Sequence, residues 1–186
     1  MQTNLYFVRH AHSTYTPDEF GRPLSAQGIA DANRVTELLL REDIDVVVSS
    51  PYKRAVQTVQ GIADFLGNEI LIEMDLRERR IATNDVDDFA QAMKQLWTNP
   101  FFSFAGGESN HAAQHRGVSA TRNILKKYQG DNVVIGTHGN LMVLIMNHFR
   151  GTYDFAFWQQ LTMPDIYKLS FCGHHFVDAK RIWGKL

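Results

Sequence analysis

Short apolar runs alternate along the chain with longer stretches in which apolar residues recur every three or four positions. Residues 4–8 are short, aromatic and β-branched, and they predict a buried strand. A polar stretch over 12–23 follows, broken by Pro17, Gly21 and Pro23. Behind Ser25, a natural N-cap, Ile29, Ala32, Val35 and Leu39 keep helical spacing and predict a helix over 26–42. Val46, Val47 and Val48 predict a second buried strand over 45–49. Pro51 suits a first helical turn. The stripe Val56, Val59, Ile62, Ala63 and Leu66 then predicts a helix that Gly67 ends. Residues 69–73 form a third predicted strand. An amphipathic helix over 85–97 carries Phe89, Met93 and Leu96, and 99–107 is a loop with three phenylalanines. A helix over 109–128, a strand over 132–136 and an apolar helix over 140–149 come next. Residues 166–171 and 175–182 read as a hairpin around Gly173.

Strands that alternate with helices predict an α/β fold: a three-layer sandwich, its sheet mostly parallel, with helices on both faces. Nothing divides the 186 residues, so one domain over 1–186 is expected. In such sheets the site lies beyond the carboxyl ends of the strands. That rule selects three segments. They are Arg9-His10-Ala11-His12-Ser13, Ser49-Ser50-Pro51-Tyr52-Lys53-Arg54 and Thr137-His138-Gly139-Asn140. Two arginines, two histidines, several hydroxyls and two helix N-termini are expected to converge there.

Composition narrows the function classes. The 19 basic and 20 acidic side chains leave a formal net charge of −1, so no bulk attraction to nucleic acid or to an anionic membrane is expected. Cys172 is the single cysteine, which excludes an internal disulfide and a cysteine-based zinc site. The longest apolar run, 141–146, falls far short of the roughly 18 residues that span a bilayer. The first residues lack the basic n-region of a secretory signal. A soluble cytoplasmic protein is the expectation, and nothing in the sequence sets an oligomeric state.

The chemistry of the three segments suits a phosphoryl dianion. Guanidinium forks match phosphate oxygens in pairs, and helix N-termini add donors and partial positive charge. A neutral imidazole in such a site can attack phosphorus, and a second can donate to the equatorial oxygens. Protonating a leaving alkoxide requires an acid. Glu78, just past the third strand, fits that role best on topology. His10 and His12 could instead be a metal pair at a strand end, although no carboxylate partner completes a coordination shell.

These residues carry a resemblance. Phe7-Val8-Arg9-His10-Ala11-His12-Ser13 resembles the Arg-His-Gly signature of the histidine phosphatase superfamily, which contains the cofactor-dependent phosphoglycerate mutases. The segment 49–58 resembles that family's second segment, where an Arg heads a helix after a Ser-Ser strand end. Arg22-Pro23-Leu24-Ser25-Ala26-Gln27-Gly28 is similar to its entry into the first helix. Leu76-Arg77-Glu78-Arg79, Gly106-Gly107-Glu108-Ser109 and Thr137-His138-Gly139 are similar to its acid, helix-start and second-histidine segments. The resemblance implies His10 as the nucleophile that becomes phosphohistidine. It implies Arg9, Arg54 and His138 as the rest of the phosphate pocket, and Glu78 as general acid. Ser13 and the backbone of Gly139 are implied as further phosphate contacts. It implies no metal and no organic cofactor. The implied partner is a phosphorylated small molecule or a phosphoprotein.

The chain departs from the pattern at Ala11, where Gly is usual, at His12, where many members have Glu, and at Arg79-Arg80-Ile81. It also lacks the long insertion of the glycolytic mutases, which favours phosphatase over mutase chemistry. A non-catalytic phospho-ligand domain is the alternative from another class. Phe101, Phe102 and Phe104 are either a packed loop or a lid, with substrate discrimination expected in 98–116. Trp97 and Trp158 are expected in core or lid, and Arg79, Arg80 and Arg116 are candidates for reading extra negative charge. His111 and His115 share a helix face at a spacing that can bind zinc, with a solvated face the plainer expectation.

Overall fold

The computed structural model describes residues 1–84 and 86–184. One six-stranded sheet runs through it in the order β3-β2-β4-β1-β5-β6. Strands β1 (Gln2–Arg9), β2 (Val46–Ser49), β3 (Leu71–Ile72) and β4 (Asn132–Thr137) pair in parallel. β5 (Asp165–Cys172) lies antiparallel beside β1, and β6 (His175–Arg181) completes the expected hairpin.

Alternation along β1 builds two cores at once. Leu5 and Phe7 face one side with Val133 and Ile135 of β4, under α4 (Asn110–Lys127) and α5 (Gly139–Phe149). Tyr6 and Val8 face the other with Val47 and Val134, under α1 (Ala26–Leu39) and α2 (Lys53–Leu66). A strand buried on both faces has no polar side. This is why the central strands read as continuous apolar runs.

The caps follow local chemistry. Ser25 accepts from the Gly28 N–H at the start of α1, and Ser109 accepts from the Ala112 N–H at the start of α4. Gly67 ends α2 at φ 67°, a left-handed conformation that costs glycine no Cβ clash.

Several expectations need correction. Ile29, placed on the apolar stripe of α1, is 53% exposed, and Gly28 takes the inward position where the helix meets the loop after β1. The helix over 85–97 is α3 (Phe89–Thr98), capped by Asp88, with Phe89 exposed. Asp85 lies outside the described residues. β3 is only a two-residue edge. A short α6 (Phe155–Gln159), capped by Asp154, occupies a stretch with no periodic signal. No helix among the described residues is long and apolar enough to cross a membrane.

Candidate active site

β4 lies between β1 and β2, so the three expected strand ends are neighbours. The His10 N–H donates to the Thr137 carbonyl at 2.9 Å, and the Ser50 N–H donates to the Gly136 carbonyl at 2.8 Å. His10 is buried, and its ring edge meets the wholly buried His138 ring, with centroids 5.2 Å apart. The loop after β1 is pinned from α2. The Ala11 N–H donates to Thr58 Oγ1 at 3.0 Å, while the Thr58 hydroxyl donates to the Arg54 carbonyl at 2.7 Å. The Ala11 methyl is buried with Leu24 and Ala32, so alanine at this position has a packing role.

The tautomer of His10 follows from its partner. Its Nδ1 lies 2.8 Å from the Ala11 carbonyl, which can only accept, so Nδ1 carries the proton and Nε2 the lone pair. Arg54 Nε donates to that lone pair at 3.2 Å. Burial lowers the His10 pKa to about 3, and the charges of Arg54, Arg9 and Arg22 push the same way against the Ala11 bond. Burial, then His10 and Arg54, holds His138 well below the ordinary histidine range. Its Nε2 lies 2.7 Å from Ser50 Oγ, and its Nδ1 faces Arg54 Nη2 at 3.4 Å.

The arginines come from three directions. Arg54, in the first turn of α2, is buried over the Tyr52 ring. Its Nη1 and Nη2 donate to the carbonyl and carboxylate of Glu19 at 2.9 and 2.8 Å. Glu19 also pairs with Arg22. Arg9, at the end of β1, donates from Nη1 to the carbonyls of Leu161 and Thr162, both at 3.1 Å. Wholly buried Asp165 fixes that segment by accepting from the Thr162 N–H, while Arg181 clamps both its carboxylate oxygens. Gly139 is small for a definite reason: a Cβ there would lie 2.7 Å from Arg9 Nε.

Glu78 reaches the same place from the segment after the 3-10 turn Met74–Leu76. The Thr137 hydroxyl donates to the Leu76 carbonyl at 3.1 Å and anchors that segment to β4. The Glu78 carboxylate then sits on the N-terminus of α5. Oε1 accepts from the Arg79 and Leu141 N–H groups at 2.9 and 3.1 Å, and Oε2 accepts from Asn140 at 3.2 Å. With two lone pairs per oxygen, Oε2 keeps one open for a proton.

A cavity of about 760 Å³ opens over this floor, lined by Arg9, Arg22, Tyr52, Glu78, Arg79 and Asn140 among others. Its outer wall carries Tyr15, Phe89 and Trp158. Phe101, Phe102 and Phe104 are absent from the lining, as is the rest of 98–116. Residues 79–84, with Val86 and Phe89, line the cavity instead, and Phe101 stands 72% exposed beside His111. Trp97 packs against the core and Phe155.

Ser13 is half-buried opposite Leu24, and its hydroxyl has no hydrogen-bond partner among the described residues. His12 is exposed and bonds Ser25 Oγ at 2.8 Å. Arg116 is paired within the protein: Glu108 holds it in a fork, and the carbonyls of Asp75 and Arg77 take Nη1. His111 and His115 line a separate groove with Arg122 and His148. No group of three or more metal-capable side chains is gathered among the described residues. Ser50, Thr58 and Asp165 escaped the sequence reading of roles. Only the Ser-Ser strand end hinted at the first.

A family model described as histidine phosphatase superfamily, branch 1, matches residues 5–177. The chain belongs to the histidine phosphatase superfamily. Phosphoglycerate mutase-like protein 4 of Arabidopsis thaliana is 30% identical over 152 residues, covering 73% of this chain and 66% of that protein. Putative phosphoserine phosphatase 2 of Hydrogenobacter thermophilus is 35% identical over 79 residues, 40% of this chain and 39% of that one. The chain thus spans just under two thirds of the first relative and well under half of the second. Among solved histidine phosphatases, a mycobacterial glucosyl-3-phosphoglycerate phosphatase superposes with a TM-score of 0.77 at 19% identity, covering 97% of both chains. A phosphoserine phosphatase variant from Entamoeba histolytica, solved with phosphoserine, gives 0.79 at 18% identity over 97% of both. These likenesses show the shared three-layer fold.

Proposed function

We propose that the protein is a phosphomonoester phosphatase that works through a phosphohistidine on His10. The observation that carries this reading is the His10 Nε2 lone pair, bare of a proton and facing the buried Arg54 guanidinium. In the first step Nε2 attacks phosphorus and the P–O bond to the leaving alcohol breaks. Arg9, Arg54 and His138 hold the equatorial oxygens, joined by the N–H of Gly139 at the start of α5. Glu78 gives a proton from Oε2 to the leaving oxygen. In the second step Glu78 takes a proton from water, the water oxygen attacks phosphorus, and the N–P bond breaks to release inorganic phosphate. The Nδ1–H bond to the Ala11 carbonyl orients the ring throughout.

Names of relatives support hydrolysis of phosphorylated small molecules, since phosphoserine and glucosyl-3-phosphoglycerate phosphatases stand among them. Replacing His10→Ala is expected to abolish turnover of p-nitrophenyl phosphate while circular dichroism stays native. Acid quenching of the parent enzyme with labelled substrate is expected to trap a base-stable phosphoenzyme. Turnover at the parent rate by the variant would sink the mechanism. Transfer to a second hydroxyl of phosphoglycerate without release of phosphate would indicate a mutase instead.

A further inference from the structure

Arg181 is absent from the cavity lining, yet it closes on the carboxylate that stands opposite Arg9. In the antiparallel pairing of β1 with β5, Arg9 is the partner of Asp165. Directly opposed residues share a face of the sheet, with Cβ atoms about 5 Å apart, and opposite charges there normally attract one another. These two form no ion pair among the described residues. Asp165 gives its carboxylate instead to Arg181, the last residue of β6. Arg181 Nε donates to Oδ1 at 2.8 Å and Nη2 to Oδ2 at 2.9 Å, a bidentate fork. The Ile166 and Thr162 N–H groups add bonds to Oδ1 and Oδ2 at 3.0 and 3.1 Å. Asp165 is wholly buried, whereas Arg181 is 42% exposed.

Arg9 is held without a carboxylate. Its two Nη1 bonds go to the carbonyls of Leu161 and Thr162, and its Nε is buried with no partner among the described residues. Nε and Nη2 share one edge of a guanidinium, and that edge matches two oxygens of a phosphoryl group. Burial lowers the Arg9 pKa, and the charges of Glu78 and Asp165 oppose the fall. Asp165 is therefore near enough for its charge to act on Arg9 while its oxygens are engaged elsewhere. Without Arg181 it would be a buried carboxylate with no counter-ion, a costly state that the facing Arg9 could relieve.

We propose that Arg181 is a positioning residue for Arg9: by occupying Asp165 it keeps that carboxylate from capturing the Arg9 guanidinium, and so leaves the Nε–Nη2 edge to the phosphoryl group. The proposal rests on the reading of Arg9 as a phosphoryl ligand.

The test measures inorganic phosphate binding by calorimetry, and kcat/KM for p-nitrophenyl phosphate, on the parent, Arg181→Met, Asp165→Asn and the double variant. Arg181→Met is expected to weaken both by about 10- to 100-fold, the worth of hydrogen bonds to a charged group. Asp165→Asn keeps an oxygen for the Thr162 N–H and removes the competing charge, so it is expected to stay near the parent. The double variant is expected to recover to the Asp165→Asn level. A purely structural ion pair would give no such rescue. A double variant as weak as Arg181→Met, or an Arg181→Met that matches the parent, would overturn the proposal. Should Arg181→Met not fold, Arg181→Gln is expected to show the same loss and the same rescue, and the same outcomes decide. If the parent neither binds phosphate nor turns over, the phosphoryl reading of Arg9 fails. The Arg9 Nε–H NMR signal, assigned by its loss in Arg9→Lys, then decides the positioning. It is expected to move in Arg181→Met and to return in the double variant, and a signal that Arg181→Met leaves in place overturns the proposal.

Discussion

At the scale of single residues, burial makes His10 a nucleophile by keeping it neutral. Its pKa is lowered to about 3, and that of His138 falls in the same direction. In a histidine NMR titration the Cε1–H signals of both are expected to stay fixed between about pH 5 and 8. A midpoint near the ordinary 6.5 for His10 would contradict that environment. Glu19 sets a second residue-level expectation. Its carboxylate sits on Arg54 in the ligand-free protein, where a phosphate oxygen would compete for the same donors. Because Glu19 is half exposed, the pair has the modest worth of a surface ion pair. Glu19→Gln is therefore expected to tighten inorganic phosphate binding by about 2- to 5-fold in calorimetry. Weaker binding would mean that Glu19 orients Arg54.

At the scale of elements, the site is made by where strands stop and helices start. Glu78 caps α5, and Gly139 in the first turn of α5 leaves room for Arg9. Gly139→Ala is expected to push the Arg9 guanidinium aside and reduce kcat/KM by about 100-fold, the cost of a misplacement near 1 Å. A variant with parent activity would show that Arg9 has space to yield. Much of this element plan was legible in the sequence. Strand ends rich in Arg, His and Ser are local signals, as are the Ser caps, and apolar runs announced the central strands. Ile29 misled because apolar spacing marks a face without saying which neighbour covers it, and glycine at 28 allowed the loop to approach instead. The role of 79–84, Val86 and Phe89 as cavity wall was not legible, since Arg79 meets Asn140 and Met93 only once the chain is folded. Ser50, Thr58 and Asp165 are ordinary residues until the sheet order brings them behind His138, Ala11 and Arg9.

At the scale of the whole molecule, a formal charge of −1 coexists with a crevice lined by Arg9, Arg22, Arg79 and Arg80. Keeping His10 and His138 neutral also ties stability to acidity. The unfolded chain protonates these rings near 6.5, whereas folded His10 does so only near 3, so the unfolded state binds more protons between those values. Stability is therefore expected to be full above about pH 6.5 and to fall as pH drops toward about 3. Urea midpoints at neutral and mildly acid pH check this, and His10→Gln is expected to flatten the fall. An equal fall in that variant would place the acid sensitivity elsewhere.

The sheet order has another consequence, for behaviour in crowded solution. Its two rims are β3, with a ladder of only two residues, and β6, whose exposed side chains include Asp178, Lys180 and Arg181 beside a register shift in β5–β6 pairing. A rim so short, and another so charged and irregular, gives an incoming strand little template. The sheet that holds the crevice at its strand ends therefore carries little tendency to propagate from molecule to molecule into fibrous aggregates.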